Sequence, residues 1–144
     1  MQRPQLTSAQ SHQINISCIL SGHLMFGIGY EYGINEHHAA TCNVYPLLLP
    51  GVEELPFAIS AGYGFYTGQE HWKGRLGLEY TMIVSPPDPD KRKVLPMVSF
   101  LSGLQYSDKR GNHYLSQIYV ARFLKEARAP VAPIGIELRF GREL

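Results

Sequence analysis

Apolar and polar positions alternate with a period of two over most of the chain, and helical spacing is scarce. From Leu24 to Gly33 the even positions are Leu24, Phe26, Ile28, Tyr30 and Tyr32. The odd ones are Met25, Gly27, Gly29, Glu31 and Gly33. The stretch 57–66 repeats the split, with Phe57, Ile59, Ala61, Tyr63 and Phe65 opposed to Ala58, Ser60, Gly62, Gly64 and Tyr66. Between 74 and 84, Leu76, Leu78, Tyr80, Met82 and Val84 oppose Arg75, Gly77, Glu79 and Thr81. Near the C-terminus Ile134, Ile136, Leu138 and Phe140 oppose Gly135, Glu137, Arg139 and Gly141. Successive side chains of a strand point to opposite faces, so each stretch predicts a two-faced β-strand.

Weaker alternation adds three strands. Residues 12–20 put Ile14, Ile16, Cys18 and Leu20 together, and 39–45 put Ala40, Cys42 and Val44 together. Val98, Phe100, Leu104 and Tyr106 share a face interrupted by Ser102. The segment 114–125 supports two phases: Leu115, Tyr119, Ala121 and Phe123, or Ile118, Val120 and Leu124. The first set is read as the apolar face, because the second carries Arg122 with it. The sum is about eight strands in an up-and-down meander, with 1–11 as a flexible N-terminal segment and 12–144 as one barrel domain. From the second connector onward, shorter polar connectors (34–38, 67–73, 107–113) alternate with longer proline-rich ones (46–56, 85–96, 126–133). Hairpins projecting from two opposite rims would produce that alternation.

The face opposite the apolar one is made of Gly, Ala and Ser, with isolated Glu31, Arg75, Glu79, Glu137 and Arg139. A face bathed in water would carry Lys, Glu and Thr more densely. The interior of an eight-stranded barrel is only just wide enough to be filled by side chains, so glycines and mutually paired charges suit a lumen. The expected fold is therefore all-β: a single antiparallel up-and-down transmembrane β-barrel, apolar outside, with these charges as a network in the lumen. Tyr30, Tyr32, Tyr63, Phe65, Trp72, Tyr106, Tyr114 and Phe140 flank the shorter connectors, which predicts an aromatic girdle at one rim.

The strand GIGYEYG, its turn INEHHA, the segment AGYGFYTG and the last strand PIGIELRF resemble the small outer-membrane β-barrels of Gram-negative bacteria, in the manner of the OmpA transmembrane domain, OmpX and OmpW. The resemblance covers nearly the whole chain after residue 12, as a pattern. It implies a bacterial outer-membrane location, membrane lipid as the surrounding partner, and contacts with other envelope proteins through the long loops. Such barrels usually end on an aromatic residue, whereas this chain ends Phe140-Gly-Arg-Glu-Leu144. The N-terminal MQRPQLTSAQSHQ lacks the apolar core of a secretory signal, so the expectation is that an export signal has been removed.

Composition narrows the alternatives. A chain of 144 residues makes one domain, and 13 Lys+Arg against 12 Asp+Glu leaves no basic excess for nucleic acid. With 17% charged and 11% aromatic residues, the chain is too apolar for disorder and too poor in charge for a helical bundle. No apolar run approaches the ~20 residues of a membrane helix. Two readings compete with the membrane barrel: a soluble lipocalin-like barrel whose apolar face lines a ligand cavity, and a membrane-embedded lipid-modifying hydrolase.

Candidate chemistry is sparse. His37, His38 and His71 lie in connectors that share a rim and are weak candidates for metal ligands. His113 and Ser116 are weak candidates for an acyl-transfer pair, yet residues three apart on a strand point to opposite faces. No nucleophile-elbow motif and no phosphate-binding glycine loop is present, so no cofactor is expected. Cys18 and Cys42 fall on the first and third strands, too far apart to bridge, and are expected as free thiols. The expected role is structural, anchoring or partner-binding; the narrow lumen excludes a general diffusion pore.

Overall fold

The computed structural model describes residues 11–20, 24–46, 57–69, 71–85, 93–124 and 134–144. These form eight strands: β1 (Ser11–Leu20), β2 (Leu24–Gly33), β3 (His38–Pro46), β4 (Phe57–Gln69), β5 (Trp72–Ser85), β6 (Lys93–Ser107), β7 (Asn112–Phe123) and β8 (Ile134–Glu143). Each pairs antiparallel with the next, and β8 returns to β1 through Gln13↔Glu143 to Leu20↔Ile136, which closes the barrel. Closure leaves no sheet edge with unpaired backbone groups.

Turn chemistry fixes one rim. Asn35 Oδ1 accepts the backbone N–H groups of His37 and His38, both at 2.9 Å, and so shapes the β2–β3 turn. Asp108 does the same between β6 and β7, accepting Arg110 N at 2.7 Å and Asn112 N at 3.0 Å. Gly111 completes that turn at φ 81°, a left-handed conformation that side chains resist. Gly68, at φ 103°, bends the end of β4 toward β5. At the same rim the chain end is tied down: Glu143 N–H donates to Gly111 O, and Leu144 N–H to His12 O.

The period-two pattern resolves into a polarity-inverted barrel. Phe100 is 71% exposed, Ile28 65% and Ile136 49%, whereas Arg75 is 2% and Glu137 1% exposed. Phe26, Ile59 and Leu78 also lie on the outer wall. A lipocalin-like barrel would need these three positions, with Ile136, to converge on the axis. They do the opposite, and that reading falls.

Three expectations need correction. In β7 the outer face is the opposite of the expected one: Leu115, Tyr119 and Ala121 point into the lumen, and Ile118, Val120 and Arg122 point out. (The side chain of Phe123 lies outside the described ones.) Arg122 did not forbid this phase, because it sits one residue from the strand end, where a long cationic side chain can snorkel to the polar interface. Second, the lumen is not polar throughout. Its half nearest the long connectors holds Ile19, Met25, Tyr45, Ile83, Met97, Leu101 and Tyr119 in one apolar cluster. Third, two connectors are shorter than expected. The β4–β5 ladder runs to Gln69↔Trp72, and the β5–β6 ladder to Ser85↔Lys93 with Pro96 inside it. Proline is tolerated because Pro96 O accepts Leu124 N–H where β7 has just ended, so its missing N–H faces no ladder partner. Most of the long connectors 46–56, 85–96 and 126–133, and residues 1–10, lie outside the described residues.

Candidate functional site

The expected lumen charges come together on the barrel axis. Glu31 from β2, Arg75 and Glu79 from β5, and Glu137 and Arg139 from β8 all point inward and are buried. Glu31, Arg75, Glu137 and Arg139 reach one another through two residues that charge alone does not mark. Tyr66 donates its hydroxyl to Glu31 Oε1 at 2.6 Å and accepts Arg75 Nε at 3.1 Å. Arg75 Nη1 donates to Gln117 Oε1 at 2.8 Å, and Gln117 Nε2 donates to Glu137 Oε2 at 2.6 Å. Arg139 donates to Glu137 Oε1 from Nε at 3.0 Å and Nη2 at 2.8 Å. The longer ion pairs Arg75–Glu31 at 3.8 Å and Arg139–Glu31 at 3.9 Å close the ring across the lumen.

Such a ring holds together because four of its charges, Glu31, Arg75, Glu137 and Arg139, pair with one another. Burying an ion costs several kcal/mol after relaxation, and the Coulomb gain offsets that only with good geometry and further hydrogen bonds. Glu137 meets the condition, with three hydrogen bonds shared over both oxygens. Glycines provide the room. A Cβ at Gly64 would meet the Arg75 guanidinium at 3.0 to 3.2 Å, and one at Gly77 would meet Arg75 Nη1 at 2.9 Å.

Cavities lie on both sides of the ring. Toward the short turns a polar one of about 290 Å³ is bounded by Glu31, Tyr66, Lys73, Gln105, His113 and Glu143. Toward the long connectors a smaller one of about 40 Å³ lies inside the apolar cluster, over Glu79.

The aromatic residues gather at the short-turn rim, and histidines join them. Trp72 packs on Tyr106 at 5.1 Å between ring centroids, Tyr106 on Tyr114 at 6.3 Å, and Tyr114 on Phe140 at 5.2 Å. His12 meets Tyr30 and Tyr32, while His38 meets Tyr63 and Phe65. The candidate metal ligands are thus occupied otherwise and are not brought together. His37 Nδ1–H donates to Tyr66 O at 3.0 Å, and His71 Nδ1–H to Ser107 O at 2.7 Å. Among the described residues no group of three or more His, Cys, Asp or Glu could hold a metal ion.

The candidate acyl-transfer pair is not assembled. Ser116 is exposed on the outer wall, while His113 turns to the lumen mouth and accepts the Ser107 hydroxyl at Nδ1, 2.6 Å away. Cys42 is exposed and Cys18 partly so on the outer wall, each a free thiol. Tyr66 was legible from the phase of β4, whose inward face it shares with Gly64. Gln117 was hidden, because the misread phase of β7 placed it outside.

No family model matches the chain, and no curated protein matches its sequence. Its architecture is that of small outer-membrane barrels solved elsewhere. The N-terminal β-barrel domain of Pseudomonas aeruginosa OprF superposes with a TM-score of 0.74 at 11% identity, over 94% of this chain and 98% of that one. Neisserial surface protein A gives 0.53 at 12% identity, over 93% and 94%. The Yersinia pestis outer membrane protein Ail gives 0.52 at 13% identity, over 94% and 99%.

Proposed function

We propose that this chain is an integral β-barrel of the bacterial outer membrane, closed to general diffusion, with a structural, anchoring or partner-binding role. The supporting observation is the inversion of polarity: an outer wall of Ile, Leu, Val, Phe and Tyr surrounds a buried ring of carboxylates and guanidiniums. In water that wall would expose a continuous apolar surface far beyond what a soluble monomer carries. In a bilayer it is the favourable side, and the closed ladder satisfies every spanning backbone group. Short turns on the periplasmic side and longer loops outside are the rule for such barrels, which puts the aromatic and histidine rim at the periplasmic interface. Recognition of other envelope components then belongs to the long connectors 46–56, 85–96 and 126–133, with membrane lipid around the wall.

Refolding into phosphatidylcholine vesicles, followed by gel electrophoresis in SDS with and without boiling, tests this reading. The folded barrel should migrate differently from the boiled chain and give no steady ionic conductance in planar bilayers. A chain that stays dispersed as a folded monomer without detergent contradicts the membrane assignment. A large, persistent conductance contradicts the closed lumen.

A further inference from the structure

We infer that the lumen half nearest the long connectors is a binding pocket for one small amphiphilic ammonium ion, with Glu79 as its counter-ion. The inference rests on the barrel interior alone and not on which membrane surrounds it. Among the described residues the buried interior charges do not balance: three carboxylates, Glu31, Glu79 and Glu137, against two guanidiniums, Arg75 and Arg139. Arg139 is committed to Glu137 at 2.8 Å, and Glu31 draws on both guanidiniums at 3.8 and 3.9 Å. Among the described residues no cationic nitrogen lies within 4.0 Å of Glu79. At 5% exposure Glu79 is the buried acid that makes no ion pair among the described residues.

Glu79 lines the cavity whose other walls include Ile19, Met25, Ile83, Met97 and Leu101. Those walls select the kind of cation. A calcium or magnesium ion needs about six oxygen ligands, which apolar walls do not supply. A primary ammonium needs one carboxylate for its charge and carries its own hydrocarbon for the walls. The cavity offers about 40 Å³ to the centres of water molecules. That is room for about three waters, or an ammonium with a chain of about three or four carbons. Glycine keeps it open: a Cβ at Gly27 would collide with the Tyr45 ring, and one at Gly135 with the Tyr119 ring. Both rings therefore lie against the barrel wall, and Tyr45 offers a π-system near the charge.

The test is titration of the refolded barrel in detergent with n-butylammonium chloride, read by the methyl resonances of ¹³C-labelled methionine. Met25 and Met97 line the cavity, while Met82 on the outer wall is the internal control. The expected result is a saturable shift of Met25 and Met97 with Met82 unmoved. At equal concentration 1-butanol, of the same size but neutral, should bind at least tenfold more weakly, and Glu79→Gln should lower ammonium affinity at least tenfold. Met97→Trp, which fills the cavity and leaves Glu79 in place, should abolish the shift of Met25. No saturable shift, equal binding of butanol, or full binding by a folded Glu79→Gln or Met97→Trp variant overturns the inference. The comparison of butylammonium with butanol decides the matter on the unaltered chain even where a variant does not fold.

Discussion

Arg139 Nη2 lies 2.8 Å from Glu137 Oε1, although the two residues stand only two positions apart on β8. Period two puts both on the inward face, so a single strand supplies an acid and its base to the same buried ring. The pair is fully enclosed, and Gln117 satisfies the remaining carboxylate oxygen at 2.6 Å. Removing one partner strands the other. Glu137→Leu should cost about 3–5 kcal/mol, and Glu137→Leu with Arg139→Leu should cost less than the single change. Urea unfolding from micelles measures both; an additive double variant would show that the pair is not coupled.

The outer wall makes a second prediction. Phe100 sits at the middle of β6 and is 71% exposed. Phe100→Arg should cost about 2–4 kcal/mol in a bilayer, as cations at the midplane of barrels do. On a water-facing wall the same change would be neutral or favourable, so refolding yield into vesicles separates the two.

Close strand packing sets a third. A Cβ at Gly103 would run into Ser116 O and the Gln117 backbone, neither of which can shift without disturbing the β6–β7 ladder. Gly103→Ala should cost about 1–3 kcal/mol. Gly74→Ala should be near neutral, because its Cβ would meet only the Thr67 hydroxyl, which can rotate away. Paired urea midpoints of the two variants give the comparison.

Asp108 carries a pH dependence. The Asn112 side-chain amide, then the backbone N–H groups of Asn112 and Arg110, hold its carboxyl below the usual range. A depressed folded pKa stabilises fully above the unfolded value of about 3.9, and the contribution fades as pH falls through the lower folded value. Asp108→Ala should therefore lower the urea midpoint at pH 7, with the gap to the unaltered chain closing in acid. A gap that is constant with pH would show that the carboxylate charge plays no part in the turn.

Most of the barrel was legible because alternation is a one-bit signal that burial enforces along a whole strand. Leu24–Gly33 and Ile134–Phe140 show it cleanly, since one face is aliphatic or aromatic and the other, Met25 apart, is glycine and charge. β7 is ambiguous because both of its faces are apolar where it passes the greasy half of the lumen: Tyr119 and Ala121 look inward while Ile118 and Val120 look out. The charge that argues against the outward phase, Arg122, lies at the strand end, where it can reach the polar interface. The five lumen charges are legible in the sequence, but which of them pair is not. Register across strands decides that Gln117 faces Glu137 and that Tyr66 faces Arg75.

Trp72 is the sole tryptophan, 62% exposed on the outer wall at the short-turn rim, so its emission reports that wall alone. The most direct measurement is quenching of its fluorescence in vesicles of brominated phosphatidylcholine, against aqueous iodide. A lipid-facing wall predicts strong bromine quenching, greatest for bromines placed nearest the headgroups, with little effect of iodide. Efficient iodide quenching with no response to brominated lipid would mean that water, not lipid, bathes the apolar side of this barrel.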